Sequence, residues 1–155
     1  MKGFTLIEMM VVVAIIAVLA LMMAPMVSDR AIREQVAEAL PLADLAKKPI
    51  GDAWAATQIL PADNAAAGLP PAEKIVSDRV NAVTVENGSI HVRFGNRANS
   101  AIRGKTLTLR PAVVADAPIV PITWLCGYAA PPDKMTAKGP NRTDFPPGYL
   151  PARCR

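Results

Sequence analysis

Hydrophobic and polar positions along the chain fall into stretches with different periods. From Met9 to Val27 no residue is charged, and from Phe4 to Met23 only Thr5 and Glu8 interrupt the apolar run. As a helix the uncharged stretch is roughly 28 Å long, close to the roughly 30 Å of a bilayer's hydrocarbon. Apolar residues at every angle suit either lipid or the packed centre of an assembly. After Ser28 the pattern becomes amphipathic. Ile32, Val36, Leu40, Ala43 and Ala46 form one stripe at helical spacing, and Arg30, Arg33, Glu34, Glu38 and Asp44 lie mostly off it. This predicts a continuation of the first helix that lays its stripe on a sheet. Three prolines interrupt it. Pro25 loosens the turn near the end of the uncharged core, and a proline in a helix interior costs about 3 kcal/mol. The expectation is a bend near Pro41 and an end near Pro49, or a restart from Gly51 to Leu60.

Pro61 to Pro71 is rich in Ala, Pro, Asp, Asn and Gly and reads as a surface loop without chemistry. Val80–Glu86 and Ser89–Phe94 read as strands joined by Asn87-Gly88, the strongest short-range hairpin signal. Thr106–Val114, with Leu107, Leu109 and Val113 on one face, and Ile119–Cys126 are the third and fourth strand candidates. Pro111, Pro118 and Pro121 place edges or strand ends there. The predicted fold class is α+β. A long N-terminal helix, half uniformly apolar and long enough to cross a membrane and half amphipathic, packs on a four-stranded antiparallel sheet, with a disulfide-closed C-terminal loop.

Glu8 is a carboxylate inside an apolar run. At mid-membrane an ionised group costs on the order of 2.5–3.5 kcal/mol, so it needs a partner, a task, or a position near the surface where it reaches water. An ordinary secretory signal is the alternative reading of the segment. Its apolar region is usually about 7–15 residues, its basic end is longer than Lys2 alone, and a small-x-small cleavage site is lacking. The helix is therefore expected to stay on the mature chain.

The stretch Gly3-Phe4-Thr5-Leu6-Ile7-Glu8, preceded by Lys2, resembles the type III signal of type IV prepilins and the related pseudopilins. The resemblance implies that a prepilin peptidase removes residues 1–3 by cutting between Gly3 and Phe4, and that Phe4 is then N-methylated. It implies a membrane and filament-core helix over residues 4–27 and a globular head over residues 28–155. It also implies assembly roles for Phe4, Glu8 and Pro25. Cleavage places a cationic amine at the end of a helix that also carries Glu8, and methylation keeps that charge. In staggered helices the carboxylate of one subunit meets the amine of its neighbour, a pair that costs more to leave unmet than to form in a low dielectric.

Composition fits an exported chain. The protein has 155 residues, 52% apolar and 19% charged, which excludes a disordered tail. Its two cysteines, Cys126 and Cys154, reach an oxidising compartment in a chain carried across the inner membrane, so a disulfide is expected. Trp124-Leu125-Cys126-Gly127 and Tyr149-Leu150-Pro151-Ala152-Arg153-Cys154-Arg155 resemble the disulfide-bounded end of type IVa pilins. Phe94 to Val114 is also similar to that group, whereas major pseudopilins of type II secretion generally use a calcium site instead.

The inventory for catalysis is thin. With one histidine, His91, and two paired cysteines, neither an activated nucleophile nor a zinc site can be assembled, and no glycine-rich phosphate loop is present. No enzyme activity, cofactor or metal is expected. His91 reads as an outward strand residue, and Asp29, Glu34 and Glu38 as a solvated face. Asn87-Gly88-Ser89 and Asn141-Arg142-Thr143 match the glycosylation sequon, but bacterial filaments seldom use it.

The C-terminal half carries the positive charge of a chain with a formal net charge of +4. Arg93, Arg97, Arg103 and Lys105 are candidate contacts for anions or, non-specifically, for DNA. A solvated face or salt bridges between subunits is the more economical reading. Phe94, Trp124, Tyr128, Phe145 and Tyr149 are too sparse for base stacking.

The resemblance as a whole implies the major subunit of a type IV pilus. Its location is the bacterial inner membrane before assembly, at an assembly platform, and then the cell surface as a homo-oligomeric helical filament. Twitching, adhesion and DNA uptake are its expected services. The alternatives are a minor pilin with a DNA- or surface-binding basic head, or a type II secretion pseudopilin.

Overall fold

The computed structural model describes residues 3–155, except for the side chains of residues 24–27. Met1 and Lys2, which belong to the expected leader, and the side chain of Pro25 therefore lie outside the described set.

One helix, α1, runs from Leu6 to Thr57. Thr5 caps it, its Oγ1 accepting the Glu8 N–H at 3.3 Å, which satisfies one of the amides a helix start leaves unpaired. Glu8 lies in the first turn, where a carboxylate favours the positive end of the helix dipole. At the other end Gln58 turns left-handed, and its N–H closes on Trp54 O at 2.9 Å. The expected termination near Pro49 does not occur. Pro41 and Pro49 each remove the donor for a carbonyl four residues back, on Ala37 and Leu45, and both of those residues are exposed to water. Water can therefore replace the lost bonds, and packing of the opposite face holds the helix together across them.

That face is the predicted stripe. Ile32, Val36, Leu40, Ala43 and Ala46 are buried, joined by Ala39 and Ile50. The off-stripe charges stay in water, with Arg30 and Glu34 forming an exposed pair at 3.0 Å that adds little stability. In contrast, every large apolar side chain described from Phe4 to Met23 is exposed.

The sheet is antiparallel, with β1 at Val80–Glu86, β2 at Ser89–Phe94, β3 at Thr106–Val113 and β4 at Thr123–Cys126, in the order β1-β2-β3-β4. A two-residue strand, β5 at Thr136–Ala137, pairs with the end of β3 and was not foreseen. β4 begins later than the pattern suggested, because Pro118 and Pro121 lack the N–H groups a ladder needs. The β1–β2 turn carries positive φ at Asn87 (48°) and Gly88 (81°), the geometry that Asn-Gly supplies at least cost. Val83, Val85, Ile90, Val92, Phe94, Leu107 and Leu109 form the core with the α1 stripe. Phe145 reaches into it from the C-terminal region and meets Phe94 edge-on at 5.2 Å between ring centres.

The segment from Pro61 to Pro71 is not simply a surface loop. Pro61, Asn64 and Ala67 are buried, and the segment lies along the open edge of β1. Asn64 Oδ1 accepts the Val85 N–H at 2.7 Å, while its Nδ2 donates to Val83 O and Pro70 O, both at 3.0 Å. One side chain thus pairs an N–H and a C=O on the β1 edge as a neighbouring strand would, which blunts that edge toward a stray chain. Removing it orphans buried backbone groups, at about 1–3 kcal/mol each. Asn64→Ala is therefore expected to lower the thermal midpoint of the detergent-solubilised chain by several degrees. A midpoint unchanged from wild type would contradict this role.

Candidate functional site

Two regions place chemistry where other molecules can meet it, the first turns of α1 and the outer face of the sheet. Phe4 is 80% exposed immediately before the helix, and Glu8 is exposed one turn further on, without an ion-pair partner among the described residues. Around them stand Leu6, Ile7, Met9, Met10 and Val11, all exposed. So large an unshielded apolar surface is not stable in water and requires lipid or other copies of the segment. The helix is long and apolar enough to cross a membrane. Gly3 precedes the helix with open space where a side chain would project.

The outer face of the sheet lies opposite α1 and is partly covered by the C-terminal region. Cys126 and Cys154 form a disulfide joining the end of β4 to the chain terminus. Within this loop the chain passes over Ser89 at Gly139 and then descends beside β3. Gly139 has φ +73°, and an added Cβ would collide with Ser89 Oγ and Asn87 O, so only glycine fits the crossing. Further on, Arg142 N–H donates to Thr108 Oγ1 at 3.0 Å, the Thr108 N–H donates to Thr143 Oγ1 at 3.1 Å, and the Thr106 N–H donates to Asp144 Oδ1 at 2.6 Å. The terminal residues thus extend the ladder along the part of β3 that β4 does not reach.

This cover corrects the reading of His91 as an open outward residue. It is on the outer face, but it is buried. Its Nδ1 is 2.9 Å from Thr108 Oγ1, and its Nε2 is 3.3 Å from Glu86 Oε2. Glu86 Oε1 also accepts from the Arg142 guanidinium at 2.7 Å. Burial lowers the His91 pKa below its ordinary value; the Glu86 carboxylate works against that shift and Arg142 adds to it. The imidazole is therefore neutral at pH 7. The ionised Glu86 carboxylate beside Nε2 can only accept, which favours the tautomer with its N–H on Nε2 and the Thr108 hydroxyl donating to Nδ1.

The four basic residues singled out in the sequence are not gathered into one patch. Arg97 pairs with Asp78 at 3.3 Å, Arg103 donates to Ala98 O at 3.2 Å, and Lys105 donates to Asp144 O at 3.3 Å. Arg93 alone of the four lines a cavity, together with His91 and Arg142. Sequence reasoning missed Glu86 and Asn64 and the meeting of Arg142 with Glu86, because the partners are supplied by chain segments distant in sequence. Among the described residues no group of three His, Cys, Asp or Glu side chains could hold a metal ion.

Similarity to known proteins covers both regions. Residues 33–155 match the family described as Pilin (bacterial filament), and residues 1–24 match the prokaryotic N-terminal methylation motif. A type IV major pilin protein, PilE, of Neisseria gonorrhoeae is 34% identical over 160 residues, covering 99% of this chain and 93% of that one. A fimbrial protein of Neisseria meningitidis serogroup B is 32% identical over 99% of this chain and 94% of its own length. The fimbrial protein EcpC of Eikenella corrodens is 39% identical, with coverage of 99% and 90%.

Proposed function

The chain belongs to the bacterial pilin family, and from that premise we propose that it is the major structural subunit of a type IV pilus, polymerising through α1 into a surface filament. The observation that carries this reading is the exposed apolar half of a continuous helix whose other half anchors the head. Such a helix serves two solvents in turn. It rests in lipid as a membrane-anchored precursor, then leaves it for the packed centre of a filament, and neither environment tolerates a polar stripe. The relatives' names, major pilin and fimbrial protein, favour the abundant subunit over a minor pilin or a secretion pseudopilin. The C-terminal disulfide supports the same choice.

The finer parts of the reading follow from the first residues. A prepilin peptidase removes residues 1–3 after Gly3, and Phe4 becomes the methylated amino terminus. Glu8 then sets the register of each incoming subunit against the Phe4 amine of its neighbour, and Pro25 allows the middle of α1 to loosen during assembly. The inner membrane holds the precursor, an assembly platform extracts it, and twitching, adhesion and DNA uptake are the services of the finished filament. Non-specific DNA contact receives no support from a gathered basic surface.

Processing is the part open to the quickest test. Gly3 has room beyond its Cα in the precursor, so Gly3→Val leaves the fold intact and obstructs only the peptidase. The variant is expected to accumulate with residues 1–3 attached and to yield no filaments. A mature mass equal to that of the processed wild-type chain would contradict the cleavage site.

A further inference from the structure

We propose that the cavity on the outer face of the sheet is a binding site for a small phosphate-type oxyanion, gripped by Arg93, Arg142 and Nε2 of His91. The cavity has a volume of about 400 Å³, and its lining includes Thr84 of β1, His91 and Arg93 of β2, Thr106 of β3 and Arg142 of the crossing segment. No carboxylate is part of that lining. Ala82 and Gly104 keep it open by projecting almost nothing into it.

Three donors line it from two chain segments, His91 and Arg93 from β2 and Arg142 from the crossing segment. Arg93 is exposed and makes no ion pair or hydrogen bond among the described residues. Arg142 spends one nitrogen on Glu86, and a guanidinium has five N–H donors, so the rest of its fork remains available. His91 contributes a buried Nε2 with no close hydrogen-bond partner, the Glu86 carboxylate standing at 3.3 Å. An unpaired buried donor is costly, and an oxyanion in the cavity would satisfy it. Guanidinium forks match phosphate oxygens in pairs, and two forks with a third donor beside them offer more N–H groups than the two oxygens of a carboxylate can use. The hydroxyls of Thr84 and Thr106 can meet the remaining oxygens.

On the filament reading α1 is buried toward the axis, so the face opposite it turns outward and the cavity repeats along the surface once per subunit. The binding chemistry itself does not depend on polymerisation.

The test uses the full chain in detergent micelles, titrated with inorganic phosphate at constant ionic strength. The chain has a single histidine, so its ring-proton resonance reports on His91 alone. That resonance is expected to move with phosphate and not with equivalent chloride. By calorimetry, Arg93→Gln should weaken phosphate binding about tenfold or more, and Arg97→Gln, whose partner is Asp78 outside the cavity, should leave it within about twofold. Arg93 is an exposed strand residue, so an unchanged thermal midpoint without phosphate confirms that the variant is folded. A histidine resonance indifferent to phosphate would overturn the proposal, as would acetate binding as tightly as phosphate. It would also fall if a duplex oligonucleotide bound while phosphate did not, with Arg97→Gln and Arg103→Gln as damaging as Arg93→Gln, because a dispersed basic surface would then be responsible. Solubilised chain that fails to bind phosphate leaves the filament reading standing, and filaments that fail to form leave the phosphate result intact.

Discussion

Replacing Glu8 by alanine should leave the chain processed and membrane-inserted yet abolish its filaments. In the isolated chain Glu8 is exposed in the first turn of α1 and without an ion-pair partner among the described residues, so the fold of the head does not depend on it. The consequence arises on assembly. When the apolar helices pack together, each Phe4 amine left by cleavage enters a low-dielectric environment, where an unpaired charge costs several kcal/mol and a pair in good geometry recovers most of that. Glu8→Ala therefore strands a cation in every subunit and removes the one charged side chain in the run from Phe4 to Val27, the feature that distinguishes correct axial stagger from slippage along an apolar surface. The readout is filament yield by shearing and electron microscopy, with precursor and mature forms separated by mass. Glu8→Asp, which keeps the charge on a shorter arm, should recover part of the yield. Wild-type filament yield from Glu8→Ala would remove the register role.

The second large effect concerns the C-terminal cover. Substituting Cys126 and Cys154 by serine is expected to destabilise the head by about 3–4 kcal/mol, the chain-entropy value for freeing a loop of this size. In a chain of this length that corresponds to a fall in thermal midpoint on the order of 10 °C. The loop holds few regular elements of its own, and the linkage keeps it near its contacts. Phe145 and Leu150 are fully buried by it, and Tyr128 Oη donates to Phe145 O at 3.0 Å across it. Once released, the segment from Gly139 to Asp144 would leave β3 with an open edge and expose His91 and Thr108. Protease sensitivity should consequently appear first within residues 127–153 and only later in α1 or β1–β2. A midpoint equal to wild type, with that segment still resistant, would contradict this account.

The elements most legible in the sequence were those whose signals are local. The uncharged run and the stripe from Ile32 to Ala46 are periodic over many turns, and Asn87-Gly88 marks its turn by backbone chemistry alone. The first two strands accordingly have the predicted bounds. The course of α1 past Pro49 was not legible, because local propensity prices a proline without knowing which carbonyls face water or how much packing the opposite face supplies. His91 occupies an outward position in β2 and was read accordingly, since a strand's own pattern cannot announce that a later segment will cross above it. The same limit hid Asn64, whose partners are about twenty residues away, and the meeting of Arg142 with Glu86 across the sheet. Of the basic residues, composition revealed the excess but not the local carbonyls and carboxylates that absorb Arg97, Arg103 and Lys105.

The central claim is that this chain is the abundant subunit of a surface filament, matured at its amino terminus and closed by one disulfide. Intact-mass measurement and non-reducing peptide mapping of filaments sheared from cells that express it test this most directly. The expected result is a dominant species that begins at N-methylated Phe4 and carries the Cys126–Cys154 link. Filaments in which this chain is absent or present only in traces, or in which it retains residues 1–3, would contradict the account.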